Sequence, residues 1–197
     1  MGHSQADKLR SHERIVEIAA KRLRERGLEG IGVAELMKEA GLTIGGFYKH
    51  FDSRDDLIAE AIGSTFGTLQ AQIEAGQESG KPLTFAKVID DYLRPEHRDD
   101  PGSGCPFGAL AADLARSDDK TRAITTTAIR QVIEQMAGLV DGGAPERTEP
   151  DGARERAITA YCAMIGAIGL SRIVSDAGLS DEILGSVARK LKEIVAA

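Results

Sequence analysis

The segment that most constrains the fold is residues 33–57, VAELMKEAGLTIGGFYKHFDSRDDL. Its first half has apolar residues three and four positions apart, which is typical of a short helix with one apolar face. Gly41 follows, and glycine readily ends a helix because it takes a left-handed backbone conformation at little steric cost. Thr43 can then cap a second short helix whose inner face carries Phe47 and Phe51. Two short helices joined by a tight turn with a glycine indicate a helix-turn-helix.

The outward face of the second helix carries the candidate DNA-contacting groups. Tyr48 and His50 are expected to contact phosphates, which fix the register of a docked helix without reading sequence. The candidates for contacts with base edges are Thr43, Ile44 and Lys49. Gly45 and Gly46 each cost a helix roughly 1 kcal/mol relative to alanine, which a close approach of the backbone to a DNA strand would explain. The alternative is that Tyr48 and His50 are rim residues of an ordinary helical core.

Flanking segments extend this unit to three helices. A first helix is expected over about residues 11–26, after a loose polar start. The basic groups near that start either touch phosphates or form a solvated terminus, and they are Lys8, Arg10, His12 and Arg14. Ser53 and Asp56 are spaced as a capping box, and Arg54 between them is expected near the phosphates. The helix that Ser53 opens is expected to run unbroken for about 25 residues, to residues 76–80.

Ten residues of this part of the chain match the order and spacing of a known family's sequence pattern. They are Gly41, Thr43, Gly45, Phe47, Tyr48, His50, Phe51, Ser53, Arg54 and Leu57. In this pattern the segment resembles the DNA-reading part of the TetR family of bacterial transcription regulators. The resemblance spans roughly residues 10–62, and beyond them only a plan of helices is shared. Gly32 departs from the family, which often has a serine or threonine there to bond a phosphate. Either backbone N–H groups at the helix start supply that contact instead, or the contact is absent.

The predicted fold is all-α, with a three-helix DNA-binding head over residues 1–55 and a larger helical body over residues 56–197, about nine helices in all. As a homodimer, the protein would place two recognition helices in successive major grooves of a palindromic double-stranded operator. The resemblance also implies a small-molecule effector held in the body. A repressor released by its ligand is the expected function, and activation stays open.

The body is predicted to end in two packed helices, over about residues 153–175 and 180–196. The first of them is apolar nearly all round, AITAYCAMIGAIGLS, and must therefore be covered on two sides. Together they suit a four-helix contact between two copies, as the resemblance also implies. The predicted interface residues are Ala160, Ala163, Ala167, Ile183, Val187 and Leu191. The alternative is a monomer with a central core helix. Turn-rich loops are expected over residues 95–104 and 141–152.

A ligand pocket is expected among inward-facing residues of the body that have bulk or a polar group. The candidates are Phe66, Tyr92, Cys105, Phe107, Met136, Tyr161 and Met164, each of which also suits plain core. Cys105 precedes Pro106, which suits the first position of a helix. The positive end of a helix dipole favours a thiolate. A thiol-switched regulator that senses electrophiles or oxidants through Cys105 is therefore one alternative, and a buried core cysteine is another.

Composition and charge limit the other functions. The net charge is −6, but residues 1–54 carry ten basic against eight acidic residues, so the acidic excess lies downstream of the helix-turn-helix. Four dispersed histidines and two cysteines give no metal-ligand spacing. No catalytic triad or glycine-rich phosphate loop is recognisable, so neither a metal, a cofactor nor an enzyme is expected.

Cellular location follows from similar limits. The longest uncharged run has fifteen residues, short of the ~20 that span a bilayer. With two cysteines and no apolar leader, the protein is expected in the cytoplasm and away from membranes. A helical interaction module that does not read DNA is the last alternative.

Overall fold

The computed structural model describes residues 5–140 and 150–196, and in these residues the fold is all-α with no β-strand. The α-helices are α1 (Gln5–Arg26), α2 (Val33–Glu39), α3 (Arg54–Ser64), α4 (Thr68–Glu78), α5 (Phe85–Tyr92), α6 (Pro95–Asp99), α7 (Pro106–Ala115), α8 (Asp119–Val140), α9 (Pro150–Ile173) and α10 (Ala177–Ala196). Three short 3₁₀ helices cover Leu28–Gly30, Ile44–Lys49 and Pro101–Ser103. The predicted fold class is thereby confirmed. Along the described ranges, no helix combines the length and apolar character that a membrane span needs.

The described chain forms two compact units. The first contains residues 5–66 and 105–126, and the second contains residues 67–104, 127–140 and 150–196. The first unit therefore includes α7 and the start of α8 in addition to α1, α2 and α3. The functional division at residues 55 and 56 stays a prediction.

The core of the first unit is built around one face of α1. Ile15, Ala19 and Leu23 on this face are almost fully buried. They share the core with further apolar side chains of the unit, namely Leu36, Met37, Phe47, Phe51, Leu57, Ala61 and Ile62. The outer part of α1 is fastened to α2 by Arg22, which donates hydrogen bonds to the carboxylates of Glu39 (2.7 Å) and Glu35 (3.2 Å).

Two sequence predictions about helix length are wrong. α1 begins at Gln5, so the stretch before residue 11 is helical from that point. The single long helix expected after Ser53 is broken into α3 and α4, and Gly67 between them has a φ of 102°. Near the break, the hydroxyl of Thr65 donates to the carbonyl of Ile62 (2.7 Å), which satisfies a group at the helix end locally. Apolar periodicity continues across such a break and therefore does not reveal it.

The loop expected over residues 95–104 is partly helical, because it contains α6 and a 3₁₀ helix. Arg172 of α9 fastens α6 by donating to the carbonyls of His97 (2.6 Å) and Arg98 (2.9 Å). Arg98 in turn donates to Asp181 of α10 (2.6 Å). Of the loop expected over residues 141–152, residues 141–149 lie outside the described residues, and α9 begins at Pro150.

Candidate nucleic-acid interface

A Schellman-type turn links the two helices of the predicted helix-turn-helix. After α2, Gly41 has a φ of 75°, the left-handed conformation expected for a glycine that ends a helix. The N–H of Gly41 donates to the carbonyl of Lys38 (3.0 Å), and that of Leu42 donates to the carbonyl of Met37 (2.8 Å). These bonds satisfy the last carbonyls of α2 and fix the direction in which the chain leaves it.

The recognition helix, Ile44–Lys49, is a 3₁₀ helix anchored by one aromatic side chain. Phe47 is 2% exposed, and its ring centroid lies 5.5 Å from that of Phe51. On the same short helix Ile44 is 59% exposed and Tyr48 is 77% exposed. The recognition helix therefore holds one large apolar and one aromatic side chain in solvent while its own anchor is buried.

The remaining predicted contact residues of this helix surround that exposed pair. Thr43 and Lys49 are exposed, and Thr43 occupies the N-cap position without a side-chain capping bond. A Cβ added to Gly45 would meet no atom within 4 Å. A Cβ added to Gly46 would meet Met37 Cε at 3.7 Å, an ordinary contact. The packing of the free protein therefore does not require glycine at position 45.

His50 follows the recognition helix and is half-buried. Its Nδ1 atom is buried and makes no hydrogen bond within the described part of the chain. Burial lowers the pKa of His50 below its ordinary value, and the positive charges of His12, Lys8 and Lys49 lower it further. Burial and these charges therefore favour the neutral form of His50 in the free protein.

Arg54 is bonded to the protein itself. Its guanidinium donates to the carbonyl of Leu28 and, at 3.2 Å, to the carbonyl of Ile31. These bonds tie the start of α3 to the segment that connects α1 with α2. Ser53 caps α3 as the sequence predicted, because its hydroxyl oxygen accepts the N–H of Asp56 at 3.0 Å. The predicted contact of Arg54 with DNA stays a prediction.

The predicted pocket residues are divided between the two compact units. In the first unit, the rings of Phe66 and Phe107 stack with centroids 5.4 Å apart, and Cys105 is the part-buried N-cap of α7. In the second unit the ring of Tyr92 meets that of His97 edge-on, and the other predicted residues, Met136, Tyr161 and Met164, are buried. The structure brings Phe66 and Phe107 together, and the pocket itself stays a prediction.

The predicted dimer residues lie mostly inside the chain's own packing. Ala160, Ala167 and Leu191 are buried within the second unit, where α9 packs on α10, and Ala163, Ile183 and Val187 are part-buried. The opposite face of α9 is exposed and largely apolar, and its residues are Ile158, Cys162, Gly166, Leu170 and Ile173. A helix that is apolar all round has no polar stripe to fix its orientation, and the predicted contact between two copies stays a prediction.

Comparison with known proteins identifies the family. Residues 15–61, which contain α2, the turn and the recognition helix, match the family described as bacterial regulatory proteins, tetR family. Over these residues the chain belongs to the TetR family. It is a DNA-binding transcription regulator and not an enzyme, in keeping with the family and the relatives it resembles.

Several relatives support this assignment for this TetR-family chain. The uncharacterized HTH-type transcriptional regulator Rv0196 of Mycobacterium tuberculosis is 29% identical over 171 residues, 83% of this chain and 85% of that protein. The HTH-type transcriptional repressor DhaR of a Mycobacterium species is 24% identical over 62% of this chain and 60% of its own length. The crystal structure of the reduced form of E. coli NemR has a TM-score of 0.74 and 21% identity, covering 93% and 96% of the two chains, and shows the same fold.

One interaction near the recognition helix of this regulator was not predicted from the sequence. Glu60 of α3 accepts a hydrogen bond from Nε2 of His12 of α1 at 2.6 Å. The two residues are 48 positions apart, so no local pattern could have paired them. The helical start of α1, which brings Lys8 close to His50, was also missed because the polar sequence there lacks an apolar face.

We predict that Gly45→Ala weakens DNA binding about tenfold, equal to about 1.4 kcal/mol, without destabilising the protein. The added methyl group meets nothing in the free protein, so only a close approach of DNA gives it a cost. Gly138→Ala in α8 is the matched control, because a Cβ there also meets nothing within 4 Å. Anisotropy with a selected duplex and thermal unfolding measure the two effects. Equal affinity of both variants would contradict a close backbone approach at position 45.

Proposed function

We propose that the chain is a ligand-released repressor that binds a palindromic operator as a homodimer. The observation that carries the DNA-binding part is the contrast within one short helix. Phe47 is buried, whereas Ile44 and Tyr48 on the same helix are exposed to solvent. The exposure of this much apolar surface is unfavourable for the free protein. A nucleic acid in contact with this face would cover both side chains.

Each exposed group suits a different part of a DNA duplex. Tyr48 and the neighbouring His50 are assigned to backbone phosphates, which position the helix without reading sequence. Ile44 is assigned to a thymine methyl group and Lys49 to guanine, both in the major groove. Gly32 is the N-cap of α2 and has no side chain. The backbone N–H groups at the start of α2 therefore make the phosphate contact that a serine or threonine side chain at position 32 would otherwise make.

The homodimer is supported by the two faces of α9. One face is buried against the chain's own helices, and the exposed face is largely apolar from Ile158 to Ile173. Soluble proteins rarely leave a continuous apolar face of this kind uncovered. A second copy related by a twofold axis would cover it with the same surface. Such a dimer would also present two recognition helices to half-sites about 34–36 Å apart.

The proposal of repression and of release by a ligand rests on similarity to a relative and on thermodynamic linkage between ligand binding and DNA binding. The relative DhaR is named a repressor, and a repressor that acts on the chromosome works in the cytoplasm. A ligand that prefers the conformation unable to span both half-sites must weaken DNA binding, typically 5- to 150-fold. By the same linkage, operator DNA weakens binding of the ligand by an equal factor.

A thiol switch at Cys105 is the second candidate function. Cys105 is the part-buried N-cap of α7, and NemR of the same fold is described in a reduced form. Oxidant-induced release from DNA that is lost in Cys105→Ser and retained in Cys162→Ser would favour this switch. Equal responses of both variants would favour a ligand in the body.

We predict that Tyr48→Ala weakens operator binding at least tenfold and makes its salt dependence shallower, because one phosphate contact is lost. Folding should be unaffected, since the side chain is 77% exposed. Tyr48→Phe retains the edge-on ring contact with Phe47 and separates the role of the hydroxyl from that of the ring. Binding is measured over a range of salt concentrations with DNA selected by the wild-type protein. Unchanged affinity and salt slope in Tyr48→Ala would overturn the assignment.

We predict that Leu170→Glu converts the dimer into a monomer and lowers operator affinity more than tenfold, because a charge is placed in the apolar contact. Leu170 is 55% exposed, so the folded monomer should tolerate the change. Leu9→Glu is the matched control for the oligomeric state alone, since Leu9 is 58% exposed on α1. Sedimentation measures the oligomeric state. A Leu170→Glu protein that remains dimeric would show that the exposed face of α9 is not the interface.

A further inference from the structure

The amino-terminal end of α1 lies beside the recognition helix and shares an aromatic cluster with it. The imidazole ring of His12 stacks on Phe51 with centroids 4.6 Å apart and planes 24° apart. The same ring lies 5.8 Å, centroid to centroid, from the ring of His50. Nε2 of His12 donates to the carboxylate of Glu60 at 2.6 Å, which fixes the orientation of the His12 ring. Three separate segments therefore meet at the two histidines.

Positive groups from both helices face His50. Lys8 is four residues before His12 and so lies on the same face of α1, where it is exposed. Lys8, His12 and Lys49 each act on the charge of His50, after burial, which is the largest effect on its pKa. The carboxylate of Glu60 is engaged by His12 rather than by His50. Within the described ranges, the site thus combines several basic groups around one histidine that is not paired with a carboxylate.

The protonation of His50 depends on what covers this site. A charged imidazole has an N–H on both nitrogens, and Nδ1 of His50 is buried without a hydrogen-bond partner among the described residues. In the free protein the charged form would therefore add a buried donor with no acceptor and repulsion from the nearby cations. A phosphate against the exposed edge of the ring would supply the missing negative charge and favour the charged form.

We propose that the amino-terminal end of α1 belongs to the DNA-binding surface, where Lys8 and His50 hold one backbone phosphate beside His12, and that binding of this phosphate takes up a proton from solvent on His50. This inference rests on the proposed DNA-binding function and extends it in two ways. It adds α1 to the surface that contacts DNA. It also makes operator affinity depend on pH near neutrality.

The sign of the pH dependence follows from the two states of His50. The free protein holds the pKa of His50 below its ordinary value, and a bound phosphate raises it. Protons are therefore taken up on binding at pH values between the two, and affinity rises as the pH falls through that range. One proton per subunit sets an upper limit of about tenfold per pH unit for each subunit.

The first experiment measures proton uptake directly on the wild-type protein. Calorimetry of binding to a duplex selected by this protein is carried out near pH 7 in two buffers with different ionisation enthalpies. We expect a buffer-dependent enthalpy that corresponds to a net uptake of a fraction of a proton per subunit. Specific binding without proton uptake would overturn this inference and leave the proposed function intact. This measurement needs no variant and therefore does not depend on how well one folds.

The second experiment assigns the effect to residues. At constant salt, the wild-type affinity should rise about threefold to tenfold between pH 8 and pH 6, and His50→Gln should abolish most of this rise. Lys8→Ala should weaken binding to all duplexes by a similar factor and reduce the salt slope by about one. The matched control is Lys190→Ala, whose lysine pairs with Glu193 on α10. It should change neither quantity.

The remaining outcomes also decide. A pH dependence that persists in His50→Gln, or a Lys8→Ala protein with the same salt slope as the control, would overturn the inference. Failure of the wild-type protein to select any duplex would overturn the proposed function, and this inference with it.

Discussion

The DNA-reading head depends on the burial of Phe47 and Phe51. Phe47 is the anchor of a short 3₁₀ helix that contains two adjacent glycines and has little stability of its own. Replacing a buried phenylalanine with alanine typically costs about 3–5 kcal/mol, which is a large share of the roughly 5–15 kcal/mol that stabilises a domain. The recognition helix is thus held by tertiary packing. This packing lets Ile44 and Tyr48 stand in solvent in a fixed orientation.

Two arginines orient the elements around that core. Arg22 joins α1 to both Glu35 and Glu39 of α2, and its side chain is only 15% exposed. Arg54 bonds two backbone carbonyls between α1 and α2. A planar guanidinium with several donors suits such bridging, because one side chain can satisfy acceptors from separate segments. The position of α3 relative to the helix-turn-helix is therefore determined by a residue that the sequence alone suggested for DNA contact.

The local features of the structure were predicted well from the sequence. The turn at Gly41, the N-cap position of Ser53 and the start of α7 at Pro106 were all predicted and are confirmed. Each depends on the chemistry of a few adjacent residues. The unbroken helix after Ser53 was wrong, because the break at Gly67 interrupts an apolar pattern that continues on both sides. α6 was missed, since Arg172, which fastens it, is about 75 residues away.

The sequence by itself determined the TetR family, the all-α fold and the face of the recognition helix that meets solvent. These follow from residue types at fixed short spacings, which a helix converts directly into faces and caps. Only the tertiary structure decided which face of α9 is covered by the chain, and that His12 meets Glu60 and His50. The sequence of a helix without a polar stripe does not indicate which face of the helix is buried. Contacts between residues about 40 or more positions apart arise only when the helices pack.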